Sequence, residues 1–406
     1  MRLRHFITAF LLVAIIAHSP RASGAGTPPP ADAASVLFNT LIPRCEISLE
    51  PEAVQSLRTQ PREYVKATLR VGTNVFLDVG VKLKGSRGSF RPVDDHPALT
   101  INMDKFVKGQ SFHGLNKFHL NNSAQDPSLM NEIIASELFI AAGVPTARAT
   151  HARVQFDGRD LGFYVLKEGY NKRFLKRHFK DTKGNLYDGG FLMDVDENLE
   201  KDSGDGPENW SDLVALWDAA NEPDLAKRKT RLEAVLDLDR FMTFTALELL
   251  TGHWDGYTQN RNNYRLYHNP ETEKFVFIPH GMDQLFRDVN YQITPGASES
   301  GRGRGRGGFR RNGMVAMRVF EVTDFQHRYL DRMGQLLEKE FTAEWLGAQV
   351  NRIEARVRSQ LGTTDPQFAS YLGAHARNMR RQLAERVRSA KAQHAALMKH
   401  YRAPER

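Results

Sequence analysis

The chain has 406 residues, 41% apolar and 26% charged, an ordinary globular balance that excludes wholesale disorder, collagen and a multi-span membrane protein. A single cysteine, Cys45, excludes a disulfide scaffold and a cysteine-rich zinc site. Of the net charge of +8, Arg2, Arg4 and Arg21 supply +3, and residues 296–312, with five arginines and one glutamate, supply +4. That leaves +1 for the remainder, so the body of the chain is not a basic nucleic-acid binder.

The N-terminus reads as a secretory signal over residues 1–24. Arg2 and Arg4 form the basic region, Phe6 to Ala17 the short apolar core, and small residues from Ala22 to Ala25 the cleavage region. A retained membrane anchor or a core helix competes with this reading. Residues 25–35 are a proline and small-residue linker. No later run is long enough to span a bilayer, so the expectation is an exported body without a stable membrane span, whether periplasmic, cell-surface or extracellular.

Residues 36–168 alternate in a strand-like way. Tyr64–Val71 and Val75–Leu83 flank a turn at Gly72-Thr73-Asn74, and a small glycine-containing loop, Gly85-Ser86-Arg87-Gly88-Ser89, follows. Strands are expected over Ala98–Met103 and Asn116–Leu120, the latter with Lys117 and His119 on one face. A helix is expected from Asp126 as N-cap and Pro127 as first helical residue, with Leu129, Ile133, Ile134, Leu138 and Phe139 as its stripe, ending at Gly143 and Pro145. Ala152–Phe156 and Leu161–Leu166 around Asp157-Gly158 read as a hairpin.

From residue 169 to 406 helical periodicity dominates, over 213–220, 225–250, 325–361 and 373–400. Two short strands interrupt it, Asn263–Tyr267 and Lys274–Ile278. The acidic run 194–212 lacks EF-hand spacing and reads as a solvated loop. Residues 296–312 read as a disordered Gly/Arg loop; in an exported protein a nucleic-acid partner is not expected for it. The fold class is α+β, with a sheet-rich front and a helix-rich back.

The densest chemistry lies at His253-Trp254-Asp255-Gly256-Tyr257, followed by Asn260. Asp255 and Asn260 stand five apart, the spacing of a protein-kinase catalytic loop, where the aspartate takes the hydroxyl proton and the asparagine holds a metal. By chance alone such a pair is common. Its setting adds weight: a two-strand hairpin follows, and then Asp283, in the slot of a kinase's metal-binding aspartate. Upstream, the Gly85, Ser86 and Arg87 loop, Lys117 on a strand and Glu132 on a helix fall in the order of a phosphate-covering loop, a phosphate lysine and its glutamate partner. Lys82, Lys84 and Lys105 compete for the lysine role. Asp255-Gly256 also fits a plain turn, and Asp283 a helix N-cap.

At these residues the chain resembles the CotH family, the spore-coat H type of atypical protein kinase. The resemblance rests on Val81–Ser86, Leu120-Asn121-Asn122 with Asp126-Pro127-Ser128, Leu161–Tyr164 with Glu168, Trp254–Tyr257 with Asn260–Tyr264, and Phe277-Ile278-Pro279 with Asp283. It covers about residues 40–345. It implies a divergent two-lobe kinase fold, with the nucleotide-binding lobe over 36–168 and the catalytic lobe over 169–406. It also implies ATP with Mg²⁺ or Mn²⁺, and phosphorylation of Ser or Thr in secreted or surface proteins, the chain itself included. Asp255 would be the base, and Asp283 with Asn260 the metal ligands. One position departs from the family pattern, where Gly281 replaces a carboxylate. An inactive kinase-like surface module, or a metal-dependent hydrolase, would use the same residues differently.

Overall fold

The computed structural model describes residues 33–86, 88–206, 208–295 and 312–402. The signal sequence, most of the linker, Arg87 and the Gly/Arg loop before Asn312 lie outside the described residues. The chain enters through helix α1 (Ala33–Asn39), so the end of the stretch read as linker is helical instead: Leu37 and Phe38 find apolar cover in the neighbouring core.

Seven strands then form a closed barrel: β1 (Arg44–Ser48), β2 (Val65–Val71), β3 (Asn74–Lys84), β4 (Ala98–Asn102), β5 (Lys117–Asn121), β6 (Ala149–Phe156) and β7 (Arg159–Glu168). Helix α2 (Pro51–Thr59) lies between β1 and β2, and α3 (Asn131–Ala141) between β5 and β6. The order around the barrel is β1-β2-β3-β4-β5-β7-β6, and parallel pairing of β1 with β6 closes it. Closure removes the exposed sheet edges that an open antiparallel sheet would leave. The expected hairpin of β6 and β7 turns at Asp157 and Gly158, both with positive φ, as a tight two-residue turn requires.

Period-two alternation fills the barrel. Leu69, Val81, Ile101, Phe118, Leu120, Val154, Tyr164 and Leu166 meet inside it. Cys45 lies there too, fully buried, and burial pushes its thiol up to about 12, which shuts off thiolate chemistry. On β7 the residues between the inward ones, Val165 and Lys167, therefore face outward, toward α3 and the helical half. Helix α3 is buried on nearly all sides between the two halves, including its polar residues Asn131 and Glu132. It starts at Asn131, four residues after the expected first turn. Asp126 still caps, but through a turn: its carboxylate accepts from Ser128 N at 3.0 Å and from Asn131 N at 2.9 Å, with Leu129 at positive φ between them.

The second half holds α4 (Lys172–His178), β8 (Leu186–Asp188), β9 (Glu200–Ser203), α5 (Ser211–Ala220), α6 (Leu225–Val235), α7 (Leu238–Thr251), α8 (Tyr257–Asn260), β10 (Tyr264–Asn269) and β11 (Lys274–Pro279). A 3₁₀ turn, Met282–Gln284, precedes α9 (Met314–Val319), α10 (Thr323–Glu338), α11 (Ala343–Leu361) and α12 (Pro366–Arg402). The strands form one sheet in the order β11-β10-β8-β9. The acidic run is thus not simply a solvated loop. Asp194 is fully buried, accepting from Tyr257 Oη at 2.9 Å and Met314 N at 2.7 Å, and Asp202 on β9 pairs with Arg265 on β10. Those donors replace the water that its charge density would otherwise demand.

Helix α7 leads directly into the Asp255 segment, and its C-terminus is held from far along the chain. Arg386 of α12, fully buried, donates to Leu249 O and Leu250 O at 2.8 Å each, and to Val289 O and Tyr291 O. A cation is favoured there by the helix dipole, and the carbonyls would otherwise be orphaned.

Candidate active site

Between the barrel and the helical half runs a cleft of about 530 Å³. Its barrel wall is made by Lys84 at the end of β3, the loop residues Gly85, Ser86 and Ser89, Asn121 on β5, Lys167 on β7 and Glu132 on α3. Asp255, Asn262, Asn263, His280, Gly281 and Asp283 make the opposite wall. Of the expected site residues, the cleft therefore gathers Gly85, Ser86, Glu132, Asp255 and Asp283. Arg87 lies outside the described residues. Lys117 and Asn260 are not on the cleft wall.

The expected Lys117–Glu132 pair does not form. Glu132 pairs with Lys167, with side-chain exposures of 2% and 0%. The register explains this: His119 on β5 stands opposite Lys167, so Lys117 lies two residues along the strand, beside Asn102 and near Arg265 and Asp188. Burial alone would push the Lys167 ammonium down, but the Glu132 carboxylate beside it overrides this and holds it above the ordinary lysine value. Glu132 also accepts from Met282 N at 3.1 Å, which ties the pair to the turn carrying Asp283. His280 Nδ1 lies 3.3 Å from Lys167 Nζ; burial, then the Lys167 and Arg265 charges, hold this imidazole well below its ordinary value, so it is neutral.

Asp255 is set by three amides. Its Oδ1 accepts from Asn260 Nδ2 at 2.5 Å and Asn262 Nδ2 at 3.1 Å; its Oδ2 accepts from Asn263 Nδ2 at 3.0 Å. Asn263 also donates to the Asp255 carbonyl at 3.0 Å. A carboxylate offers about four acceptor positions, two per oxygen, so the unfilled one is on Oδ2. The segment is braced from beneath: the Glu248 carboxylate, pushed up to about 7 by burial, accepts from Tyr257 N and Thr258 N at 2.9 Å each. Asn260, read from the sequence as a metal ligand, is not on the cleft wall and donates its amide nitrogen to Asp255, a bond that leaves the metal role of its oxygen undecided.

Asp283 is the middle residue of the 3₁₀ turn. Burial, then the neighbouring carboxylates Glu132 and Asp126, push its carboxyl up to about 7. Beside it, Gly281 sits at φ +56°, and a Cβ built on it would lie 2.2 Å from Asn263 Oδ1. The carboxamide of Asn263 therefore fills the space that a side chain at Gly281 would need. With its nitrogen committed to Asp255, the Asn263 oxygen is the atom next to Asp283's turn. Among the described residues no three His, Cys, Asp or Glu side chains cluster as a self-sufficient metal site. Asp283 and Asn263 both line the cleft and offer hard oxygen atoms, a donor type that suits Mg²⁺ or Mn²⁺ when substrate phosphates complete the coordination.

Residues 84–401 match the family model described as CotH kinase protein. The chain belongs to this family. Inner spore coat protein H of Bacillus subtilis is 23% identical over 340 residues, covering 78% of this chain and 87% of that protein. Invasins CotH2 and CotH3 of Rhizopus delemar are 25% and 27% identical, each over 44% of this chain and about a third of the invasin. Among solved structures, the proinflammatory kinase CtkA of Helicobacter pylori aligns over 74% of this chain and 95% of its own, at 12% identity and a TM-score of 0.31.

The sequence reading missed Lys167, Asn263 and His280, and held Lys84 only as one of three competitors for the lysine role. Lys167 left one usable signal: it breaks the apolar run Val165-Leu166 at an outward position, in a strand whose other face is needed for the barrel.

Proposed function

We propose that this chain is an exported ATP-dependent protein kinase that transfers the γ-phosphate to Ser or Thr of secreted or surface proteins. The observation that carries the reading is the convergence of a buried Lys167–Glu132 pair, Asp283 and an amide-set Asp255 on one cleft. Two-lobe kinases use these same four roles on two walls of a nucleotide cleft.

In this reading Lys167 donates to the nucleotide's phosphates, and Glu132 keeps its ammonium charged and aimed. Asp283 and the Asn263 oxygen would hold Mg²⁺ or Mn²⁺, which supplies charge neutralisation at the phosphates. Asp255 accepts the substrate hydroxyl proton on its free Oδ2 position as the oxygen attacks phosphorus and the bond to ADP breaks. The three amides fix the carboxylate so that its orientation need not be found at the moment of reaction. Export rests on the sequence of residues 1–24; among the described residues no helix is long and apolar enough to cross a membrane.

The test is transfer of labelled phosphate from ATP with Mn²⁺ or Mg²⁺, to the chain itself and to a generic acceptor. Transfer is expected for the parent and lost by about 10²–10⁴-fold in Asp255→Ala, the range for a general base. Asp283→Ala should lose it with the metal-dependent part of ATP binding. A folded parent that binds no ATP would move the reading to a kinase-like binding module.

A further inference from the structure

Helix α12 differs from the rest of the molecule in charge. It carries eight basic residues and one acidic residue, Glu385. The +1 of the body of the chain is thus α12 at +7 set against −6 for everything else. The inner side of the helix is accounted for. Leu372, Met379, Leu383 and Val387 pack into the core, Arg386 holds the end of α7, and Arg380 pairs with Glu354 on α11 at 2.8 Å.

The outer side is not. Arg377, Arg381, Arg388, Lys391 and Lys399 are all exposed, and among the described residues no carboxylate pairs with any of them. At 3.6 residues per turn these five positions fall within about 80° of arc, in a single line about 33 Å long. Ala384 and Ala395 occupy the gaps in that line. Helix stability does not call for this arrangement. Arg377 and Arg381 stand one turn apart, a like-charge spacing that weakens a helix, and both lie beyond the reach of the dipole at its C-terminus. Charge that costs the helix and is matched by nothing within the fold marks a surface built for an outside partner.

The line also indicates the chemistry of that partner. It carries no aromatic ring to stack on a base and no side-chain amide to read one, the usual companions of basic residues at a nucleic acid. Nor does it offer an apolar stripe to enter a bilayer, because the apolar side of α12 is spent on the core. What remains is charge alone, with no fixed register. A fluid anionic surface meets that description, since its headgroups gather under fixed cations. Such a surface repels the acidic remainder of the chain, so charge selects α12 as the side that faces it.

We propose that the outer face of α12 docks this protein, peripherally and by charge alone, on an anionic phospholipid bilayer. The inference is independent of the chemistry in the cleft. Each cation close to such a surface strengthens binding by about five-fold.

The experiment is co-sedimentation of the full chain with vesicles of phosphatidylcholine containing one-third phosphatidylglycerol, read as a ratio to partitioning on pure phosphatidylcholine. The apolar run Phe6–Ala17 is common to every variant and leaves the comparison between them unchanged. The parent should favour the anionic vesicles, and salt raised from about 0.1 to about 1 M should abolish the preference, as the screening length shrinks from about 10 to about 3 Å. Arg381→Gln/Arg388→Gln/Lys391→Gln should cut the ratio by about 100-fold, and Arg381→Glu/Arg388→Glu/Lys391→Glu by more. Lys391→Glu alone should cut it by roughly 10–30-fold, and carries the test should a triple variant not fold. Arg70→Glu/Lys108→Glu/Lys180→Glu makes the same change in net charge as the glutamate triple, at exposed positions off the helix, and should leave the ratio within about two-fold of the parent's. Equal partitioning of the parent on both vesicles, or equal losses from the off-helix and α12 triples, overturns the docking face. A parent that binds duplex DNA through α12 while ignoring anionic vesicles overturns the lipid assignment in favour of a nucleic-acid partner.

Discussion

The two walls of the cleft are built by opposite means. The barrel wall sets charge on regular structure: Lys84 and Lys167 extend from strands and Glu132 from a helix. The opposite wall sets neutral amides on irregular structure. Arg261, Asn263, Gly281 and Phe286 all have positive φ within 26 residues, and the charge of Asp255 is held by three carboxamides instead of a cation. A pair of opposite charges tolerates a low-dielectric site only if both members stay in place, and strands and helices provide that constancy. A base that must receive a proton is better held by neutral donors, which fix its direction without competing for the proton. Strained loops are where such arrangements concentrate.

Four substitutions break or sharpen this contrast, from the largest expected effect to the smallest. Glu132→Gln leaves Lys167 buried without its partner and should lower stability by about 3–5 kcal/mol in urea unfolding, the usual consequence of breaking a buried pair. An equally stable variant would mean that the charge pair does not support the barrel wall. Gly281→Ala forces a side chain into left-handed backbone and against Asn263, at a cost of roughly 1–3 kcal/mol, and should lower phosphate transfer by displacing that carboxamide. Unchanged transfer would remove Asn263 from the metal role. Asn260→Ala deletes one of three bonds to Asp255 and should reduce kcat about 3–10-fold with KM for ATP unmoved, a loss near the net value of one hydrogen bond. Lys117→Met, on the wrong side of the β5 register, should leave both constants within about two-fold, below the ~1 kcal/mol of an ordinary hydrogen bond; a large loss in KM would restore the strand lysine first read from the sequence.

The contrast also decides what could be read from the sequence. The irregular wall was legible because its elements are consecutive: Asp255, the asparagines, the hairpin and Asp283 lie within 29 residues, where spacing alone carries information. Asn263 escaped because its role depends on Gly281 leaving space for it, a contact across a hairpin. The barrel wall was hardly legible. Lys117 and Lys167 are both strand lysines, and only the insertion of β7 between β5 and β6 decides which meets Glu132. That insertion is a non-local pairing with no local signature. Barrel closure was equally hidden, since it depends on β1 meeting β6 across about 100 residues of chain. The late start of α3 follows from the Asp126 turn, where Ser128 and Asn131 share a carboxylate that a simple N-cap reading gives to one donor.

The clamp of Arg386 on the end of α7 sets an order of events in the life of the molecule. The carbonyls of Leu249 and Leu250 and the segment after Asp283 receive their last donors from a residue more than 130 positions downstream of α7. A nascent chain carrying every residue of the cleft, but not yet Arg386, has the parts of the site without its keystone. The end of α7, and with it the Asp255 segment that follows, therefore has its full set of donors only once Arg386 has joined the chain.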